Sequence, residues 1–214
     1  MFKITYMKTL NESILNRSSH GAEGFKKQRR NEMIKDWLKK YDIRNYTIND
    51  DFTIDVAESI FIEGKQLTEF PEYIQFGVIN GYFNCSKNYL ISLRGCPRKV
   101  RGYFSCRGNK LTSLEGAPKE VGNYFNCSDN QLTSLEKAPE KVGSSFYCSN
   151  NKLTSLVGAP KKVEGSFDCS HNQLTSLEEA PKEVDESFYC HINSTRFIED
   201  YIRSICRVKR RIYV

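Results

Sequence analysis

From Phe83 to Cys190 the apolar and polar positions of this chain repeat with a fixed step of 21 residues. Phe83, Phe104, Phe125, Phe146, Phe167 and Phe188 keep that step, and so do Cys85, Cys106, Cys127, Cys148, Cys169 and Cys190. An asparagine follows each cysteine three residues on: Asn88, Asn109, Asn130, Asn151, Asn172 and Asn193. Then come two leucine columns, Leu90 to Leu174 and Leu93 to Leu177, a proline column from Pro97 to Pro181, and a valine column from Val100 to Val184. The unit reads F-x-C-x-x-N-x-L-x-S-L-x-x-A-P-x-x-V. Phe and Cys alternate with polar residues, the two-residue period of a short strand. A fixed period of this length predicts a solenoid, in which each coil buries its apolar side chains by stacking on its neighbours. The asparagine amide is expected to turn inward and bond backbone of its own and adjacent coils. Proline fixes an extended bend on the far side, where no long helix fits.

The unit resembles the leucine-rich repeat L-x-x-L-x-L-x-x-N-x-L, with Phe and Cys in two of the leucine slots. The short coil with proline on its back is similar to repeats of bacterial pathogen effectors, and closer still to leucine-rich repeat proteins of tailed bacteriophages. The resemblance covers residues 58–195. It implies an α/β solenoid with a parallel concave β-sheet, closed by an N-terminal helix and strand and by a C-terminal helical cap. It says almost nothing of function, because one fold carries many.

The flanks complete the expected organisation. Residues 1–23 lack a period and are expected to form a mobile arm, with Met7 to Leu15 as a short amphipathic turn. Residues 24–57 are expected to cap the solenoid. Within them a helix from Phe25 to Tyr41 presents Met33, Ile34, Trp37, Leu38 and Tyr41 as one stripe. Phe52 to Val56 alternates as a strand, and Ile60, Ile62 and Leu67 read as a degenerate first coil. Together the helix and strand are expected to shield the open end from edge pairing. Residues 196–214 are expected to form a capping helix, Arg196 to Arg207, followed by the basic cluster Arg207, Lys209, Arg210 and Arg211 as a solvated tail.

The 214 residues carry a net charge of +6, concentrated at the ends. Residues 1–50 carry +5, 51–82 carry −5, 83–190 carry +2 and 191–214 carry +4. No apolar run is long enough for a membrane helix. The N-terminus lacks the apolar core of a signal peptide, so a cytoplasmic location is expected, in the bacterial host if the chain is phage-encoded. Of eight cysteines, six share one inward column without the close C-x-x-C pairs of zinc sites. They are expected to be free, buried thiols suited to a reducing compartment. No metal or cofactor is expected.

No glycine-rich phosphate loop and no G-x-S-x-G is present, and Cys190 and His191 are expected to point apart, so no catalytic residues are assigned. His171 occupies a strand-exit slot read as accepting any polar residue. The positions flanking Phe and Cys are expected to face outward on the concave wall. They offer Tyr82, Asn84, Tyr103, Arg107, Tyr124, Asn126, Tyr147, Asp168, Tyr189 and His191 as a partner-binding surface. Tyr and Arg are enriched at the energetic centres of interfaces. The wall has too little positive charge to track phosphates. The expected function is non-catalytic binding of another protein, a host factor if the chain is phage-encoded. The alternatives are a virion-associated structural protein, or a nucleic-acid binder acting through the basic ends. Partner identity and oligomeric state are not legible.

Overall fold

The structure is a computed structural model and describes residues 23–214. The amphipathic turn and nearly all of the arm expected before the helix lie outside the described residues. The chain divides into two compact units, Met1–Ile43 and Arg44–Val214. In the first, helix α1 spans residues 23–40. Its apolar stripe is buried at Ile34, Trp37 and Leu38, whereas Met33 is exposed. The Trp37 ring lies 4.6 Å from that of Tyr41.

The second unit is a β-solenoid of about eight turns. Each full coil contributes two short strands. Phe-x of the repeat forms a front ladder, in which Phe83–Asn84, Phe104–Ser105, Phe125–Asn126, Phe146–Tyr147, Phe167–Asp168 and Phe188–Tyr189 pair in parallel and in register. Ile60–Phe61 extends it at one end and Ile212–Tyr213 at the other, giving eight strands without interruption. The x-Val dipeptides Lys99–Val100, Glu120–Val121, Lys141–Val142, Lys162–Val163 and Glu183–Val184 form back strands. The expected α/β composition is therefore not seen in the coils. Both walls are strands, because a 21-residue coil with proline on its back leaves no length for a helix.

The core is a set of identical columns. The six repeat phenylalanines are fully buried, with successive ring centroids 5.3 to 5.9 Å apart. All eight cysteines are free and buried. Each repeat thiol donates to the carbonyl of the next coil, as Cys85 does to Ser105 at 3.4 Å and Cys148 to Asp168 at 3.2 Å.

The strand-exit slot is more demanding than its composition suggests. Gly64, Lys87, Gly108, Asp129, Asn150, His171 and Ile192 all adopt φ between 52° and 67°. That is the left-handed region, which glycine and asparagine reach cheaply and a β-branched residue does not. The slot is thus chosen by backbone conformation and not merely by polarity.

The two ends differ from expectation. Phe52 sits in a turn at φ 63° and the strand is Ile54–Val56. An unforeseen partner, Tyr46–Ile48, pairs antiparallel to it, and this hairpin extends the back ladder through Phe76–Ile79. There the Asp55 carboxylate accepts the Val78 N–H at 2.7 Å, across the space a side chain on Gly77 would fill. Among the described residues no strand lies outside Ile60–Phe61 in the front ladder. At the other end helix α2 is shorter than expected, Glu199–Ile205. The segment read as a solvated tail instead makes a further coil, with Arg207–Val208 in the back and Ile212–Tyr213 in the front. Three of its four cations are paired: Lys209 meets Asp185 at 2.7 Å, while Arg207 and Arg210 meet Glu183 and Glu186, each at 3.8 Å.

The back ladder is interrupted once. Hydrogen-bonded pairing runs from Tyr46–Ile48 to Lys141–Val142, and separately from Lys162–Val163 to Arg207–Val208.

Candidate functional site

The outward face of the front ladder carries every residue read from the sequence as partner-binding. Tyr82, Tyr103 and Tyr124 stand just before the repeat phenylalanines, one per coil. In-register parallel strands bring their rings into a stack, with centroids 4.5 Å apart for each pair and planes within 14° and 6°. Tyr82 is exposed and the other two are half-buried, so only part of this column is open surface. Tyr147 closes the run edge-on against Tyr124 at 5.9 Å. Burial raises the Tyr103 hydroxyl and, together with the neighbouring Tyr103, pushes Tyr124 up to about 12. The phenols are therefore neutral donors at physiological pH.

Beside Tyr147 lies a shallow basin of about 220 Å³ that gathers Arg107, Asn126, Tyr147 and Asp168. Asp129, Ser128, Ser149 and Asn150 complete its lining. The Arg107 Nε donates to Asp129 at 2.5 Å. That partner was not read from the sequence, although the spacing of one coil plus one residue would have signalled it. Asn126 and Asp168 have a second duty, since each accepts the N–H two residues on, from Ser128 and Ser170, at 3.0 Å. Asn84 does the same for Ser86 and also donates to Glu63 at 2.9 Å, apart from the basin. Tyr189 stacks on Tyr213 at 4.5 Å. His191 meets the edge of His171 at 5.2 Å. The slot after each cysteine, expected to face outward, is buried wherever it holds serine: Ser86, Ser128, Ser149 and Ser170. The small hydroxyls turn in, Ser149 donating to Ser128 at 3.1 Å, Ser86 meeting Ser105 at 2.7 Å and Ser170 donating to Asp168 at 2.6 Å, whereas the long Arg107 side chain reaches solvent.

Beneath this face runs the asparagine ladder. Asn130 Oδ1 accepts the Leu111 N–H at 3.0 Å, and Nδ2 donates to Cys106, Cys127 and Ser128, each at 3.1 Å. Asn88, Asn109, Asn151 and Asn172 repeat the scheme, each stitching two coils. Asn193 repeats it half-buried.

The thiols lie behind the sheet, and burial holds Cys106, Cys148 and Cys169 well above the ordinary thiol range. Among the described residues no group of three or more His, Cys, Asp or Glu side chains could hold a metal ion. No helix among them is long and apolar enough to cross a membrane. Comparison with known proteins yields no matching family model, no matching curated protein and no matching solved structure.

Proposed function

We propose that the Arg44–Val214 unit is a non-catalytic protein-recognition module of the leucine-rich repeat kind, whose front face docks a partner protein. The observation that carries this reading is the unbroken run of Tyr82, Tyr103, Tyr124 and Tyr147 beside the basin of Arg107, Asn126 and Asp168. Tyrosine gives large contact area at little entropic cost, and stacking fixes the rings before a partner arrives. The likeness of the repeat unit to those of bacterial effectors and tailed phages supports a phage-encoded protein acting on a bacterial host factor, in the cytoplasm. The pairing of Arg207, Lys209 and Arg210 with acidic neighbours speaks against nucleic acid at the C-terminal end.

The test is affinity capture from host lysate with Tyr103→Ala/Tyr124→Ala. Loss of a central aromatic anchor is expected to weaken a captured partner about thirtyfold, with far-ultraviolet circular dichroism unchanged. Capture that survives the tyrosine change but is lost with Lys161→Glu/Lys162→Glu would refute the front-face reading.

A further inference from the structure

The interruption of the back ladder has a definite chemistry. At every other junction between full coils two backbone bonds close the back. Glu140 N–H donates to Lys119 and Gly143 N–H to Val121, each at 2.9 Å. One junction further on, Lys182 N–H donates to Lys161 at 2.8 Å and Asp185 N–H to Val163 at 3.0 Å. Between these, neither Lys161 N–H to Glu140 nor Glu164 N–H to Val142 forms. The opening is confined to the back, because Phe146 still pairs with Phe167 and Gly165 N–H still reaches Ser144 at 3.2 Å. One lip of the gap therefore offers two donors and the other two acceptors.

The gap falls where the charge alternation fails. Along the column before valine the residues are Lys99, Glu120, Lys141, then Lys162, Glu183, Arg207. Two cation–acid–cation triplets meet with Lys141 against Lys162, and like charges on neighbouring strands repel. Each of these lysines is only loosely held by its own acid. Lys141 lies 4.0 Å from Glu120, which Lys99 holds at 2.5 Å. Lys162 lies 3.8 Å from Glu183, which also faces Lys209 at 3.4 Å. A groove of about 700 Å³ crosses the back face here, past Gly122 and Gly143, where the strands present no side chain. Its lining has five cationic and three acidic side chains.

We infer that this groove docks an extended acidic segment of a partner protein, with one carboxylate between Lys141 and Lys162 and its peptide groups along the open lips. A peptide matches lips that offer acceptors as well as donors, whereas a simple anion would satisfy the N–H groups alone. A nucleic-acid backbone would bring uniform negative charge against Glu120, Glu140 and Glu164 in the same groove. A peptide places its acids only where the lysines are. The site lies on the opposite wall from the tyrosine run and does not depend on it.

The experiment is calorimetric titration of the full chain at low salt with an extended Thr-Ser-Glu-Ser-Thr peptide, acidic at one position only, alongside amide hydrogen exchange. Free protein should exchange Lys161 and Glu164 faster than Lys182 and Asp185, and the peptide should slow the first pair. Lys141→Gln/Lys162→Gln should weaken binding about tenfold, the loss of one charge-assisted contact, with an unchanged melting temperature. Tyr103→Ala/Tyr124→Ala should bind the peptide as the parent does. Undiminished binding by the glutamine variant, unaltered exchange at Lys161 and Glu164, or tighter binding of polyphosphate or single-stranded DNA than of the peptide would each overturn the proposal.

Discussion

The front and back ladders are built from the same coils, yet only the front runs unbroken from end to end. On the front each coil repeats one phenylalanine, one thiol and one asparagine amide, all directed inward and each meeting its own kind or the adjoining backbone. On the back each coil contributes one buried valine flanked by side chains that vary in charge. Continuity therefore follows from what fills the columns and not from the repeat length alone. Phenylalanine rings in contact at every junction, and amides bonded into the adjoining coil, tolerate no gap without losing those contacts. A wall whose neighbours are exposed ion pairs, each contributing about 0–1 kcal/mol, yields where the alternation of sign fails.

That difference makes the front the more sensitive to alkali. Burial raises the thiols of Cys106, Cys127, Cys148 and Cys169 well above the reference value of 9.0, and Cys190 to about 12. A group whose folded value is raised binds its proton more tightly in the native state. Its contribution is complete below the unfolded value and is lost as pH climbs towards the folded one. Stability should therefore hold level through neutral pH and fall steadily above about 9, with all five thiols acting in the same direction. Urea midpoints at pH 7 and pH 10 check this. An equal midpoint at both would mean that the thiols are not sealed in the core.

A single substitution separates the two ladders. Asn130→Ala strands the Leu111 N–H and the carbonyls of Cys106 and Cys127 behind the front sheet, at a cost of about 3 kcal/mol. Val142→Ala removes two methyl groups beside the open junction of the back and should cost about 1.5 kcal/mol. Gln131→Ala, on the surface next to Asn130, should change stability by less than about 0.5 kcal/mol. Chemical denaturation of the three variants ranks them. Equal losses for Asn130→Ala and Val142→Ala would show that the amide ladder adds nothing beyond packing.

Most of the front was legible because its columns are invariant. A phenylalanine, a cysteine and an asparagine at constant spacing admit one arrangement, inward and in register. The proposed partner surface was legible only as columns. Which residues meet depends on ring packing and side-chain length, so the junction of Tyr147 with both the tyrosine stack and the basin, and the ion pair of Arg107 with Asp129, emerged only in three dimensions. The back was read only as an extended bend fixed by proline, and its strands were not foreseen. One buried valine per coil is too weak a period-two signal, and the strands are held by backbone bonds that side-chain patterning does not report. The last coil was hidden for another reason: Arg207, Lys209 and Arg210 look like a solvated cluster until Glu183, Asp185 and Glu186 are placed beside them.

The strictness of the front can be sharpened at its one ill-suited corner. Gly64 and Gly108 occupy the strand-exit slot freely, and Asp129 and Asn150 suit it, but Ile192 is held at φ 54° with its side chain largely in solvent. A β-branched residue in the left-handed region carries about 1–2 kcal/mol of steric cost. Glycine would remove that cost while adding about 0.5–1 kcal/mol of unfolded-state entropy. Asparagine adds less entropy and already fills the equivalent slot at Asn150. Ile192→Asn should therefore raise stability by about 1 kcal/mol and Ile192→Gly by somewhat less, a small rise in melting temperature measurable by calorimetry. Loss of stability in both variants would mean that the last full coil does not share the corner geometry of those before it, and that the front is less uniform than its seven left-handed corners imply.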